Sequence, residues 1–287
     1  MKEIVACSIC GNQTLKPHLT TQDYFGSGDS FNLLLCTQCQ TLYTSPLPDE
    51  KEIVKYYKSN SYVSHGDSVN PIFDRVYRFI QNKNLAYKKK IIHKYTIGHS
   101  ILDYGCGTGT FLSYMSKHGW DTLGIEPDEQ ARQIALNNRI DLTSIDQLTQ
   151  SFDSITLFHV LEHVHSLNET LTQLISCLNR NGVLILALPN YKSYDAEHYQ
   201  EHWAGYDVPR HLYHFSQKSI FTLAKKLGLN IVATHPMHFD SYYVSLLSEK
   251  YRSGSSKILK AFYQGMVSNR KAQKTKEYSS LIYILSK

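Results

Sequence analysis

The segment Leu102-Asp103-Tyr104-Gly105-Cys106-Gly107-Thr108-Gly109-Thr110 decides the fold. It begins as an apolar strand, Ile101 to Tyr104, passes directly into three alternating glycines, and continues as a helical pattern from about Thr108 to His118. Glycine admits positive φ and lets a ligand approach bare backbone, so a strand, glycine turn and helix in that order make a cradle at the carboxyl edge of a parallel sheet. Outward from it, strands are predicted at Trp120 to Glu126, Ile140 to Ile145, Phe152 to Val160 and Gly182 to Leu188. Helices near Asp128 to Asn137 and Leu167 to Leu178 separate them, the crossover length a parallel sheet needs. A helix from about Ser216 to Leu227 precedes two strands, Asn230 to Thr234 and Ser280 to Leu285, expected to form an antiparallel hairpin at the sheet edge. Between them, Tyr251 to Glu277 reads as helical and basic.

These elements predict an α/β, Rossmann-like, mostly parallel seven-stranded sheet with helices on both faces over residues 100–287. At 287 residues and 42% hydrophobic, the chain can bury one large core, or a medium core and a small module. A net charge of +5 is mild, and the basic residues scatter except at Lys88-Lys89-Lys90 and from Arg270 to Lys276, so nucleic acid is not demanded. The longest apolar run, Val183 to Leu188, is too short to span a bilayer, and the opening MKEIVACSIC has no apolar signal region. The expectation is a cytoplasmic protein without a membrane partner. There the six cysteines are reduced, and regular spacing among them points to metal.

That spacing exists. Cys7-Ser-Ile-Cys10 and Cys36-Thr-Gln-Cys39 are two C-x2-C knuckles 25 residues apart, able to give four thiolates to one tetrahedral zinc. Residues 1–48 therefore read as a zinc-ribbon-like module whose metal supplies folding energy that so short a segment lacks. A four-thiolate site has no open position, so this zinc is structural. No C-x3-C-x2-C run is present for radical chemistry. Pro46 and Pro48 close the module, and residues 49–99 form a helical linker or lid, with helices from Asp49 to about Tyr57 and from Pro71 to about Tyr95 (Ile72, Val76, Phe79, Ile80). Tyr56, Tyr57 and Tyr62 either pack there or touch a substrate.

A dinucleotide fingerprint would place a third glycine where Thr110 stands. Instead Asp103 ends the first strand, an acid suited to the ammonium of a methionine moiety, which favours S-adenosylmethionine. In Gly124-Ile125-Glu126-Pro127, about 20 residues on, Glu126 can accept from both ribose hydroxyls. Asp146 can accept from the adenine amino group, with Ile145 against the ring. The expected cofactor-binding set is Asp103, Gly105, Cys106, Gly107, Gly109, Glu126, Pro127, Ile145, Asp146 and Phe158.

The runs LDYGCGTG, GIEP, FDSITLFHVLEHV and NGVLILALPN, over roughly Ser100 to Thr234, resemble class I S-adenosylmethionine-dependent methyltransferases, most closely the ubiquinone-biosynthesis O-methyltransferases. The resemblance implies that Asp103, Gly105, Gly107 and Gly109 hold the methionine end and Glu126 the ribose. The cysteine pairs are similar to those of bacterial methyltransferases with an appended zinc-binding domain, including certain sugar C-methyltransferases.

The sulfonium methyl is already electrophilic, so the protein must hold a small-molecule nucleophile in line with it and remove a proton. Among 14 histidines, two groups stand out. In Phe158-His159-Val160-Leu161-Glu162-His163, the ubiquinone enzymes can hold a divalent cation through acids and a histidine; here His159 replaces one acid. The alternative is that Glu162 and His163 fix the loop. The second group is His202-Trp203 with Asp207-Val208-Pro209-Arg210-His211-Leu212-Tyr213-His214-Phe215-Ser216, in which Ser216 suits a helix N-cap. Similar sugar C-methyltransferases carry a histidine at the position of His211, preceded by an acid where this chain has Arg210. His211, His159 and His202 are thus the expected catalytic residues, against a role for His211 in capping the next helix. Rivals are an RNA or protein methyltransferase, a non-catalytic donor-binding module and a nicotinamide dehydrogenase. Neither an Asn/Asp-Pro-Pro-aromatic motif nor a Pro-Cys nucleophile supports a nucleic-acid substrate. The accepting atom and the assembly state stay open.

Overall fold

The computed structural model describes residues 1–57, 71–255 and 257–287, with only the backbone given for 71–79. An antiparallel sheet forms first, from β1 (Leu15–Gln22), β2 (Ser30–Cys36) and β3 (Leu42–Ser45). Its fourth strand, Tyr213–His214, comes from far downstream and pairs with Tyr43 and Leu42. The cysteine segment is thereby built into the larger body: Cys7, Ile9, Phe31 and Tyr43 share one apolar core with Leu186, Trp203 and Phe215.

Helix α1 covers only Val54–Tyr57, shorter than expected, because the Asp49 carboxylate accepts from the N–H of Lys51 and Glu52 and makes a turn first. Helix α2 (Pro71–Tyr95) follows the predicted span; Tyr62 and the side chains of Ile72, Val76 and Phe79 lie outside the described residues.

The large sheet alternates strand and helix: β4 (Ser100–Tyr104), α3 (Thr110–Ser116), β5 (Asp121–Ile125), α4 (Glu129–Asn137), β6 (Leu142–Thr143), β7 (Phe152–Phe158), α5 (Leu167–Ser176) and β8 (Leu178–Pro189). After α6 (Tyr194–Tyr199) and β9, the Tyr213–His214 strand, come α7 (Gln217–Lys226), β10 (Asn230–Pro236), α8 (Asp240–Ser253), α9 (Ile258–Thr275) and β11 (Ser280–Ser286). Strand order in the seven-stranded sheet is β10-β11-β8-β7-β4-β5-β6, with β11 antiparallel to both neighbours and the other pairs parallel. The predicted hairpin partners do pair, but β11 is driven into the sheet beside β8 and only β10 is an edge. On β8, Leu184, Leu186 and Leu188 face one core while Val183, Ile185 and Ala187 face the other. A parallel strand covered on both faces needs apolar residues at every position, which explains the unbroken run. The third predicted strand shrinks to Leu142–Thr143, since it bonds on one side only, to Gly124 and Ile125, and Ile145–Gln147 is already a 3-10 turn. Among the described residues no helix is long and apolar enough to cross a membrane.

Candidate active site

Asp103, next to last in β4, is almost fully buried, with the Thr156 hydroxyl of β7 donating to its Oδ1 at 2.6 Å. Burial pushes its carboxyl up to about 7, outweighing the Thr156 hydrogen bond and the charge of Lys88. Lys88, on α2, sets its Nζ 3.9 Å from the ring centre of Phe158 and 5.9 Å from that of Phe111, and burial lowers it. Phe111 and Phe158 meet edge to face, 5.1 Å between centres.

Within the glycine turn the N–H groups of Gly105 and Cys106 both donate to the Ile125 carbonyl. Side chains at Gly105 and Gly109 would strike Val160 and Ile140, at 2.5 and 2.4 Å, so those glycines serve close packing. Gly107, at φ 56°, faces open space and offers bare backbone. Its N–H donates to Glu126 Oε2 at 2.7 Å, and Oε1 accepts from the Asp128 N–H at 2.8 Å. Cys106 points the other way, its buried sulfur beneath Gly124 and its thiol pushed up to about 12 chiefly by burial.

A second cluster follows β7. Glu162, in the 3-10 turn Leu161–His163, is 1% exposed, and neither of its carboxylate oxygens has a hydrogen bond among the described residues. The nearest ring nitrogens stop short: His159 Nδ1 at 3.6 Å and His211 Nε2 at 3.9 Å. Burial raises its carboxyl, but His159, His211 and His163 together hold it below the ordinary value. Two imidazoles flank it with their Nδ1 atoms committed to carbonyls, His163 to Arg210 at 2.9 Å and His211 to Gly205 at 3.0 Å. A carbonyl only accepts, so each Nδ1 carries a proton, and in the neutral ring it is Nε2 that holds the lone pair. Burial, with the neighbouring His211 adding, drops His163 to about 4 and keeps it neutral. Tyr57 Oη lies 3.0 Å from His163 Nδ1, which gives this tyrosine a place at the site rather than in bulk packing.

His211 is held from several sides. Thr44 of β3 donates to its carbonyl, and the Thr44 N–H donates to Leu212. Next to it, Arg210 is 3% exposed and binds Asp207 through Nε and Nη2, Asp23 at 2.9 Å through Nη2, and the Tyr56 carbonyl through Nη1. Asp23 in turn accepts from the N–H groups of Phe25, Gly26 and Ser27.

The four sulfurs of Cys7, Cys10, Cys36 and Cys39 lie within 4.8 Å of one another. Cys7 and Cys39 are 3.4 Å apart and Cys10 and Cys36 3.5 Å, far beyond an S–S bond of about 2.05 Å. Tyr43, Thr41, Asn12 and the Cys10 N–H turn donors toward the sulfurs, as outer partners of a thiolate–metal site do.

Residues 71–234 match the Methyltransf_23 methyltransferase-domain family, more than half of the chain. The chain belongs to that family. Similar curated proteins include an uncharacterized methyltransferase of Alkaliphilus oremlandii, 29% identical over 32% of this chain and 46% of its own length. The mitochondrial ubiquinone biosynthesis O-methyltransferase of Schizosaccharomyces pombe is 31% identical over 31% of this chain and 38% of its own. The Coxiella burnetii ubiquinone biosynthesis O-methyltransferase is 30% identical over 34% and 47%. The matched part of this chain thus spans less than half the length of each of these relatives. Among solved structures, the magnesium protoporphyrin IX methyltransferase of Synechocystis with bound S-adenosylhomocysteine superposes with a TM-score of 0.52 at 15% identity, over 83% of this chain and 99% of that one, a likeness of fold.

In this methyltransferase the structure brings Asp103, Gly107, Glu126 and Phe158 to one edge of the sheet, with Glu162, His163 and His211 close by. Pro127, just past β5, and Asp146, just past β6, are exposed, and Ile145 packs partly against the core while its carbonyl accepts from Gln173. His202 sits against Tyr24 and Glu201, on the cysteine-module side and outside the Glu162 cluster. His159, at φ 57°, gives Nε2 to Asp240 at 3.2 Å; Asp240 and Glu162 overcome burial and raise it to about 9, so at neutral pH it is a proton donor rather than a base. The sequence reading missed Lys88, Asp240, Asp23 and the clamp role of Arg210. Lys88 had a signal: of the three consecutive lysines it stands at i+3 from buried Leu85 and i−4 from buried Ile92, on the apolar face.

Proposed function

We propose that this chain transfers the methyl group of S-adenosylmethionine to an oxygen or carbon of a small-molecule acceptor. The observation that carries this reading is a glycine cradle flanked by Asp103 and Glu126 together with an imidazole–carboxylate cluster that begins at His159, directly after Phe158 at the end of β7. Asp103 would receive the donor's ammonium and Glu126 its ribose hydroxyls, which displace the Gly107 and Asp128 N–H groups now bound there. Ile145 and Asp146 lie beyond β6 for the adenine. The acceptor attacks the methyl in line, the S–CH3 bond breaks, S-adenosylhomocysteine leaves, and the acceptor's proton is drawn off at His211 Nε2. Glu162 stands behind that nitrogen to stabilise the positive charge it gains. The four-cysteine cluster binds structural zinc, which its donor set and spacing fit. Mass spectrometry of the purified protein tests the donor: S-adenosylhomocysteine should be carried along. Turnover tests the base, since His211→Ala should bind donor normally and lose catalysis; full turnover in that variant removes His211 from the chemistry.

A further inference from the structure

We propose that helix α9 seats the protein on an anionic lipid surface, its outward face lying between the headgroups and the acyl chains. The strands that flank the helical hairpin already pair, from Asn230 with Ser286 to Pro236 with Leu281. Residues 237–279 are thus not needed to close the sheet, and they leave it as α8 and α9. The inward face of α9 carries Ala261, Gly265, Ser268 and Ala272, all buried. At Gly265 a side chain would meet the Tyr242 backbone at 2.9 Å, so the two helices touch with no room for larger residues. The large apolar residues stand on the other side: Ile258, Leu259, Phe262, Tyr263 and Met266 are between 46% and 88% exposed. A helix that merely caps a soluble core shows the reverse arrangement. Together these five present on the order of several hundred Å² of surface, the extent at which an exposed apolar patch marks an interaction site.

Charge selects what covers this face. From Lys250 to Lys276 the chain has eight Lys and Arg and no Asp or Glu, whereas the whole chain is only +5, so the remainder is net acidic. Buried Glu249 holds Arg252 and Lys260, at 2.8 and 3.3 Å, and Lys271 lies over the Tyr194 ring. Lys250, Lys257, Arg270, Lys274 and Lys276 are exposed. Arg270 and Lys274 continue, one and two turns on, the row begun by Ile258, Phe262 and Met266, so the outward face is apolar at its start and basic at its end. A bilayer of anionic lipid matches both halves, acyl chains taking the first and phosphates the second. A nucleic acid would use the cations and leave Ile258, Leu259 and Met266 in water. A second copy of the chain would set one cationic face against another. The expectation of no membrane partner rested on the lack of a spanning segment; a helix that lies in the interface needs none, and the partner is revised to a peripheral one.

Flotation of the full-length protein with lipid vesicles tests this. The protein should float with phosphatidylcholine vesicles that contain phosphatidylglycerol, far less with phosphatidylcholine alone, and progressively less as salt is raised. Leu259→Ser combined with Phe262→Ser should lower the partition coefficient by about 10-fold or more, the worth of two apolar side chains. Arg270→Gln and Lys274→Gln should each cost about 5-fold on the anionic vesicles alone. These side chains are exposed, so circular dichroism should show every variant folded. None of them belongs to the donor cradle or the histidine cluster, and calorimetry with S-adenosylmethionine should be unchanged throughout. Loss of flotation with donor binding intact therefore speaks only of this surface, and loss of donor binding only of the proposed function. A wild type that floats with neither vesicle, or variants that float as it does, overturns the inference. So does a protein that ignores vesicles but forms a dimer dissolved by Phe262→Ser, or is captured by polyuridylate or polyglutamate: the face would then belong to a second copy, a nucleic acid or an acidic protein.

Discussion

In the glycine cradle, each carboxylate has an N–H or O–H donor within 2.8 Å: Thr156 for Asp103, and Gly107 and Asp128 for Glu126. In the Glu162 cluster the carboxylate has none. The first region is satisfied within neighbouring strands of one sheet, by a β7 hydroxyl and the N–H groups of the turns after β4 and β5; the second is drawn together from the turn after β7, the β8–β9 loop and, through Thr44 and Asp23, the cysteine module. A site satisfied in isolation binds an invariant ligand with little help. One left polar and unsatisfied, held by distant elements, is where a variable acceptor finds its partners.

The sharpest break between the two regions is His211→Ala. It should lower kcat by about 10²- to 10⁴-fold while the donor Kd stays unchanged, as calorimetry beside a radiolabelled methyl-transfer assay would show. Next in size is Arg210→Ala. It strands buried Asp23 and uncouples the cysteine module from the His211 loop, so denaturant unfolding should show a loss of about 3–5 kcal/mol. Asp103→Asn should act on the other region alone. Donor affinity should fall by about 10- to 100-fold, the worth of a charge-assisted hydrogen bond, with the circular dichroism spectrum unaltered.

Smallest is a pH effect. In the donor-free protein Asp103 is pushed up to about 7 by burial, so below that pH it is protonated and offers no charge to an ammonium. Binding a cation requires the ionised form and therefore releases a proton. Donor affinity should rise with pH up to about 7, by as much as tenfold per unit, and then level off. Titration calorimetry in buffers of different ionisation enthalpy would detect that proton, and a flat profile would remove Asp103 from the ammonium site.

How much of this could be read from sequence follows the same division. The glycine turn, Asp103 and Glu126 were legible because a strand, a turn and a helix specify their own backbone within a few residues. The unbroken apolar run of β8 declared a strand buried on both faces. The acceptor side was legible only as residue types. Nothing local says that Asp23 will meet Arg210, 187 positions away, or that two residues, Tyr213–His214, will close the N-terminal sheet. His159 looked like a base until its left-handed backbone and the start of α8 placed Asp240 against it. His202 shared a histidine-rich stretch with His211, yet the 3-10 turn Gln200–His202 carries it to Tyr24. Side-chain chemistry is written in the sequence, whereas the pairing of distant loops is set by packing.

Isothermal titration of S-adenosylmethionine and S-adenosylhomocysteine into the full-length protein, its Asp103→Asn variant and its Glu126→Ala variant tests the account most directly. It predicts one saturable site per chain for both ligands in the parent and markedly weaker binding in each variant. A folded parent that gives no heat with either ligand, or variants that bind as tightly as the parent, would contradict it.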